Sequence, residues 1–195
     1  MENKKTDRRI LRTRRLIDEA MMALLQEKSI DDISVTALCE QADINRNTFY
    51  CHYNAPTDVI KHLEEELAEK ISNALSTSGA SKDATETVLT VLKKEKGLTK
   101  LLFSEHVGSR FSEKTFEIAN SYIHAIAARK SSLLSPMYLT MLSDFAIAGG
   151  AAVIKRWVED DMQERPEDIA KFIRLISRYG SEKMLSYPEP EFRLD

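Results

Sequence analysis

Apolar side chains recur every three or four residues along most of the 195-residue chain, which is the spacing of one face of an α-helix. No run rich in Val, Ile and Thr alternates with polar residues as a half-buried strand would. Gly and Pro, which interrupt helices, number six and five. We therefore predict an all-α fold of about nine helices: residues 7–28, two short helices within 34–53, 57–76, 84–94, 97–107, 113–130, 136–161 and 166–186.

The segment 34–53 has the pattern of two short helices joined by a tight turn. Ser34 suits the N-cap of the first helix, because its hydroxyl can accept from free backbone amides. Asp43 interrupts the apolar face and tolerates a left-handed backbone, so we place the turn there, with Ile44 buried. Asn45 offers a second N-cap three residues before Thr48. Such a helix-turn-helix can place its second helix in a DNA major groove.

The second helix, over residues 46–53, separates its side chains by chemistry. Phe49 and Tyr53 are four residues apart, so they share a face and can pack beneath the helix. Arg46, Asn47 and Tyr50 share another face. Arg can bind guanine and Asn can bind adenine with two hydrogen bonds each, and Tyr can donate to a phosphate. The alternative is an ordinary polar face in contact with solvent.

Charge is distributed unevenly and favours the DNA interpretation. The net charge of −3 and the pI of about 5.9 argue against a protein that coats nucleic acid generally. The first 15 residues nevertheless hold seven basic and two acidic side chains, with Arg12 and Arg15 among the basic ones. A basic arm before a helix-turn-helix is expected of a module that contacts phosphates. A solvated, frayed terminus is the alternative.

These segments resemble the TetR family of bacterial transcriptional regulators over residues 12–63. The resemblance rests on the basic first helix, on Ile-Ser-Val-Thr-x-Leu-Cys at 33–39, and on Asn-Arg-Asn-Thr-Phe-Tyr-Cys-His-Tyr at 45–53. It implies phosphate contacts from Tyr50 and His52, backbone anchoring by Thr36 and Thr48, and base contacts from Arg46 and Asn47. The full expected DNA-binding set is Arg12, Arg15, Thr36, Asn45, Arg46, Asn47, Thr48, Tyr50 and His52.

The chain departs from the family pattern at three positions. Asp43 stands in the turn, where the family commonly has Gly, and Ser29 follows the first helix, where Gly is also frequent. Pro56 stands where the family usually has a Lys at the start of the fourth helix. Pro suits the first turn of a helix, but this exchange removes a phosphate-binding cation. Weaker DNA binding is the expected consequence.

The resemblance also implies two domains with different functions. We expect a helix-turn-helix domain with its basic arm over residues 1–55 and a helical effector-binding and dimerisation domain over 56–187. An extended tail, with two prolines, is expected over 188–195. The start of the chain is charged and has no apolar signal segment, so we expect a cytoplasmic protein. The apolar segment 137–154 contains Ser143 and Asp144 and is expected to be a buried helix and no membrane span.

That segment also indicates a homodimer, because a helix that is apolar around its whole circumference must be covered on all sides. Gly149 and Gly150 would allow a second helix to approach closely. The resemblance implies that the last two helices form a four-helix bundle with those of a second copy. A central core helix in a monomer is the alternative. The expected interface residues are Phe145, Gly149, Gly150, Val153, Trp157, Phe172 and Ile176.

The C-terminal part is similar to a TetR-like subgroup encoded beside metabolic and kinase-type operons. The similarity rests on the order Gly-Gly, Lys-Arg-Trp-Val-Glu, Arg-Pro-Glu-Asp-Ile-Ala.

Aromatic and histidine side chains of the same part are candidates for lining an effector pocket. Ordinary core packing is the alternative for each of them. The candidates are Phe103, His106, Phe111, Phe116, Tyr122, His124 and Phe145.

We expect no metal site, since His106 and His124 lack a third ligand at metal spacing. The two cysteines, Cys39 and Cys51, form no disulfide framework. No Gly-rich phosphate loop, Gly-x-Ser-x-Gly or His-Glu-x-x-His occurs, so we expect no catalytic residues and no cofactor beyond a small-molecule effector.

The sequence thus favours a homodimeric regulator that binds a pseudo-palindromic double-stranded operator, most simply as a repressor that an effector releases. The alternative is a TetR-like protein-interaction module with weak or no DNA binding. Pro56 and the net negative charge of the chain after its first 15 residues favour this alternative.

Overall fold

The computed structural model describes residues 2–77, 84–107 and 136–185, and these residues form eight α-helices and no strand. The predicted all-α class is confirmed. The predicted helix 113–130 and the tail 188–195 lie outside the described residues. The helices are α1 (Glu2–Leu24), α2 (Val35–Gln41), α3 (Arg46–Tyr50), α4 (Pro56–Thr77), α5 (Ala84–Lys94), α6 (Lys96–Leu102), α7 (Pro136–Glu159) and α8 (Pro166–Leu185), with a 3-10 turn at Ile30–Asp32.

Several helix ends differ from the prediction. Helix α1 starts at Glu2 and ends at Leu24, where residues 7–28 were expected. Helix α3 ends at Tyr50 because the chain tightens there, with the N–H of His52 bonding to the carbonyl of Phe49, three residues back, at 2.8 Å. Helix α6 ends at Leu102, five residues earlier than predicted. The other described ends lie within about two residues of the prediction, which is the ordinary uncertainty of a helix end.

The described residues divide into two compact units. The first comprises residues 2–72 and 95–107, and the second comprises 73–77, 84–94 and 136–185. The domain boundaries at residues 55 and 187 stay predictions.

A single apolar core joins α1, α2, α3 and α4 in the first unit. Ile17 and Met21 of α1, Leu38 of α2, Phe49 of α3 and Val59 of α4 have no exposed surface. Burying a side chain of this size stabilises a fold by about 1.5–3 kcal/mol, so these five side chains fix the short helices on the longer ones. Ile44, which was predicted to be buried, is partly buried, as are Leu24 and Val35.

Helix α8 packs against both α5 and α7 in the second unit. The turn between α7 and α8 is held by Trp157, whose indole N–H donates to the carbonyl of Glu164 at 3.3 Å. The ammonium of Lys93, from α5, donates to the same carbonyl at 2.7 Å. One backbone oxygen therefore links α5 to the end of α7 and the start of α8.

Candidate nucleic-acid interface

The turn between α2 and α3 is a helix C-cap with Asp in the left-handed position. Asp43 has a φ of 51°, its N–H bonds to the carbonyl of Glu40, and the N–H of Ile44 bonds to the carbonyl of Cys39 at 3.0 Å. These two hydrogen bonds form the Schellman motif that ends many helices, usually with Gly. The local sequence thus sets the angle at which α3 leaves α2, as predicted from Asp43.

Both short helices begin at side-chain caps. The hydroxyl of Ser34 accepts from the N–H of Ala37 at 3.1 Å. The carboxamide oxygen of Asn45 accepts from the N–H of Thr48 at 2.8 Å. Each bond satisfies an amide that would otherwise lack a partner at the start of a helix. The cap positions predicted at Ser34 and Asn45 agree with these bonds.

Helix α3 has one buried face and one exposed face. Phe49 is fully buried and Tyr53 nearly so, with their ring centroids 6.0 Å apart. Arg46 and Asn47 are exposed, and Tyr50 is 48% exposed. A guanidinium Nη2 of Arg46 donates to the hydroxyl of Tyr50 at 3.4 Å. The structure therefore brings the guanidinium and the phenol together on the outer side of a helix whose inner side is anchored.

An open depression lies between α2 and α3, with a volume of about 430 Å³. Thr36 and Arg46 line it, and so do the acidic residues Glu40 and Asp43. The exposed surface of the helix-turn-helix is thus of mixed charge. Glu40 and Asp43 were not among the predicted contacts.

Helix α1 carries the basic residues of the N-terminal arm. Arg12 and Arg15 are both exposed, and the Nε of Arg15 bonds to Glu19 at 2.8 Å. An exposed pair of this kind stabilises a helix by only about 0.3–0.5 kcal/mol, so a phosphate can displace Glu19. Arg14, by contrast, is partly buried, and its Nε has no hydrogen-bond partner within the described part of the chain.

His52 is partly buried at the end of α3, where its ring lies 6.5 Å from that of Tyr53. Burial, and then the positive charge of Arg14, lower the pKa of His52 below its ordinary value of 6.5. His52 is therefore neutral near pH 7. At that pH it can offer a phosphate a neutral N–H donor and no positive charge.

Comparison with known proteins identifies the family. Residues 79–179, just over half of the chain, match a TetR C-terminal family model whose description is transcriptional regulator C-terminal region. The chain belongs to the TetR family of transcriptional regulators.

Individual relatives of this TetR-family protein are distant. It is 21% identical over 174 residues to an uncharacterised HTH-type transcriptional regulator, YxbF, of Bacillus subtilis strain 168. That alignment covers 83% of this chain but 44% of the relative, so the chain spans less than half of the length of the curated relative it matches.

Two solved structures illustrate the shared fold. A TetR transcriptional regulator from Streptococcus agalactiae 2603V superposes with a TM-score of 0.67 at 20% identity, covering 90% of this chain and 98% of that one. The dihydroxyacetone kinase operon activator DhaS gives a TM-score of 0.59 at 17% identity, with coverages of 86% and 95%. These likenesses establish the fold alone.

The other candidate residues of this TetR-family protein lie in different places. Phe103 is partly buried and His106 is exposed in the first unit, where the carbonyl of His106 accepts from the N–H of Ile30 at 3.0 Å. Phe145 is 72% exposed in the second unit. Four further pocket candidates lie outside the described residues, namely Phe111, Phe116, Tyr122 and His124.

Most of the predicted interface side chains lie on exposed parts of α7 and α8. Phe145, Phe172 and Ile176 are more than half exposed. A Cβ added to Gly149 would meet no other atom within 4 Å, whereas one added to Gly150 would lie 3.5 Å from Cγ2 of Ile173. Val153 is partly buried. Trp157 differs from them: it is 2% exposed and lies in the core of the second unit.

No helix within the described ranges is long and apolar enough to span a membrane.

Proposed function

We propose that this TetR-family protein is a homodimeric, sequence-specific DNA-binding repressor that acts in the cytoplasm and is released from its operator by a small-molecule effector. The observation that carries the DNA-binding part is the anchored helix α3. Phe49 holds its inner side in the core, while Arg46, Asn47 and Tyr50 lie exposed on its outer side. A short rigid helix with these side chains fits a major groove, where Arg and Asn read base edges.

Phosphate contacts would fix the register of α3 in the groove. Tyr50 is suited to this role, because the residue is about half exposed and its hydroxyl already lies beside the guanidinium of Arg46. Arg12 and Arg15 supply exposed positive charge on α1. Thr36 is exposed in the first turn of α2, where free backbone amides favour an anion.

The apolar surface of α7 and α8 supports the homodimer. Phe145 and Met141 of α7 and Phe172, Ile176 and Tyr179 of α8 are all more than half exposed. Large exposed apolar patches are characteristic of interaction surfaces. A symmetric pairing of these two helices would cover them with their own copies, and the two copies of α3 could then occupy successive major grooves of a pseudo-palindrome.

Release by an effector would follow from a difference in affinity. A ligand of the C-terminal domain can bind more tightly to a conformation in which the spacing of the two α3 helices does not fit the operator. Such a ligand weakens operator binding, and by linkage the operator weakens ligand binding by the same coupling free energy. Repression is the simplest consequence of operator binding. We assign no catalytic role to any residue.

The deciding experiment measures binding of the purified chain to the DNA upstream of its own gene at two salt concentrations. Tight, sequence-selective binding that weakens steeply with salt is expected. Arg46→Ala should lower this selectivity, whereas Arg156→Ala is the matched control, since it removes one exposed Arg from α7. Transcription from the same DNA in vitro then distinguishes repression from activation.

The alternative is a protein-interaction module with little DNA binding, and the position of Pro56 favours it. Pro56 is the first residue of α4, so the chain has no cation where the family usually has Lys. Failure to bind any duplex at low salt would exclude the DNA-binding proposal and leave this alternative.

A further inference from the structure

Three metal-ligating side chains meet between α1 and α4 in the first unit. Asp18 comes from α1, and His62 and Glu66 come from α4, four residues apart on one helical face. Their ligand atoms all lie within 4.8 Å of one another. All three residues are partly buried, so the cluster lies at the edge of the core with access to solvent.

The cluster holds two carboxylates whose negative charge is only partly balanced. Asp18 takes part in no salt bridge among the described residues, and Glu66 shares Lys70 with Glu95. Burial is the main reason that the pKa of Asp18 is raised to about 6; the charge of His62 opposes this rise, the charge of Glu66 adds to it, and Tyr53 and Arg14 oppose it less strongly.

Groups around the cluster already hold its members in place. The hydroxyl of Tyr53 donates to Oδ1 of Asp18 at 3.5 Å, and the ring of Tyr53 lies 5.9 Å from that of His62. The ammonium of Lys70 lies 2.9 Å from Oε1 of Glu66. Hydrogen bonds of this kind commonly orient the ligands of metal sites.

We propose that Asp18, His62 and Glu66 bind one divalent transition-metal ion of the Zn²⁺ type, with water completing the coordination. One imidazole and two carboxylates suit Zn²⁺ better than Mg²⁺ or Ca²⁺, which prefer oxygen ligands alone. Zn²⁺ lies about 2.0–2.2 Å from such ligands, so the donor atoms must move closer by roughly 1 Å. Side-chain rotation would have to supply this movement, and for Glu66 it would alter the contact with Lys70.

Coordination would tie α1 to α4 through a bond that apolar packing does not supply. Asp18 also accepts from Tyr53, which lies beneath α3, so the ion would restrain all three helices together. The inference goes beyond the proposed regulatory function and does not depend on it, because the test below contains no DNA.

The test is isothermal titration of the tag-free full chain, freed of metal with EDTA and dialysed, with ZnCl₂. The expected result is one Zn²⁺ per chain and a melting temperature that rises with Zn²⁺ and not with Mg²⁺. Asp18→Asn and His62→Gln should each weaken binding at least tenfold. His106→Gln is the matched control, since His106 is an exposed histidine of the same unit outside the cluster, and this variant should bind as the unmodified chain does.

Asp18→Asn should fold, because Asn has nearly the same shape and its amide oxygen can still accept from Tyr53, and circular dichroism in EDTA checks this. Replacing Zn²⁺ with Co²⁺ gives a second readout, a visible absorption band that His62→Gln should abolish. Absence of stoichiometric binding by the unmodified chain overturns the proposal. Binding that both Asp18→Asn and His62→Gln retain overturns it as well.

Discussion

The side-chain oxygen of Asn45 accepts two hydrogen bonds from Thr48, one from the backbone N–H at 2.8 Å and one from the hydroxyl at 3.0 Å. Both residues were predicted to contact DNA, and the structure gives both a local role at the start of α3. The bonds fix the first turn of the helix, in which Arg46 and Asn47 lie. We infer that Asn45 and Thr48 act on DNA mainly by holding these two neighbours in position.

Asn45→Ala should therefore reduce the stability of the fold. Loss of an N-cap costs about 0.5–2 kcal/mol, and Asn45→Ser should retain most of it because Ser also caps well. Thermal unfolding of the two variants beside the unmodified chain measures the difference. Equal melting temperatures for all three would show that the cap contributes nothing, and a changed base preference in a fully stable Asn45→Ala variant would make Asn45 a direct base contact.

Asp43 is the second position at which backbone geometry predicts stability. Its φ of 51° lies in the left-handed region, which costs residues with a Cβ roughly 1–2 kcal/mol unless the side chain compensates. Asp43→Ala should therefore destabilise the protein, while Asp43→Gly should leave stability unchanged or raise it slightly. Chemical denaturation of both variants tests this order. If the Ala variant equals the Gly variant, the turn relaxes to another conformation.

The sequence predicts these local features well because each depends on residues close together in the chain. Helical spacing of apolar residues located α4, α5, α7 and α8 within about two residues. The caps at Ser34 and Asn45 and the turn at Asp43 follow from side chains that bond to their own backbone neighbourhood. The family resemblance added expected roles for the exposed residues of α3, and these stay predictions.

Contacts between distant segments could not be predicted in this way. In the sequence, nothing distinguishes Asp18 from the other polar residues of a basic helix. Only the folded structure, in which Asp18 of α1 lies close to His62 and Glu66 of α4, reveals the cluster. Trp157 was expected at a dimer interface, which the TetR resemblance places on the last two helices. It is instead buried against the turn before α8, since the carbonyl of Glu164 offers its indole a hydrogen-bond acceptor. Apolar periodicity predicts which face of a helix is buried, but it does not predict which segment covers that face.

Base recognition by α3 predicts different effects for its three exposed side chains. Arg46→Ala and Asn47→Ala should weaken operator binding by about tenfold to a hundredfold and relax preference at one base pair each. Tyr50→Phe should weaken binding to all duplexes alike, because a phosphate contact carries no sequence information. Binding to a panel of duplexes with single base-pair changes measures both effects. Unchanged binding in all three variants would rule out α3 as the recognition helix.

Arg46 and Tyr50 should also show energetic coupling, since the guanidinium donates to the phenol at 3.4 Å. The variant that carries Arg46→Ala and Tyr50→Phe together should lose less affinity than the sum of the single losses. Asn47→Ala combined with Tyr50→Phe is the control, because no hydrogen bond joins these two side chains in the described structure, and its losses should be closer to additive.

The apolar surface of α7 and α8 predicts a dimer that one charge can disrupt. Phe145→Asp or Ile176→Asp would place a carboxylate on the proposed interface. Dimerisation should weaken, because the charge must be desolvated on pairing. Sedimentation equilibrium should show a shift towards monomer. Leu11→Asp is the control, because Leu11 is an exposed apolar residue of the first unit. A dimer that persists in both interface variants would place the contact elsewhere.

His52 predicts that operator binding strengthens as the pH falls. Its pKa in the free protein lies below 6.5, first through burial and then through Arg14, so protonation is unfavourable until a phosphate approaches. If DNA stabilises the protonated ring, His52 takes up a proton when the complex forms, and affinity should rise as the pH is lowered from about 7.5 to 5.5.

The stability of the fold should respond to pH with the opposite sign. Because the pKa of His52 is lowered in the folded protein, the stability that neutral His52 contributes is lost as the pH falls through this window. Binding and unfolding measured across the window with the unmodified chain and His52→Gln separate the two effects, and an identical pH response of the variant would assign the titration to another group.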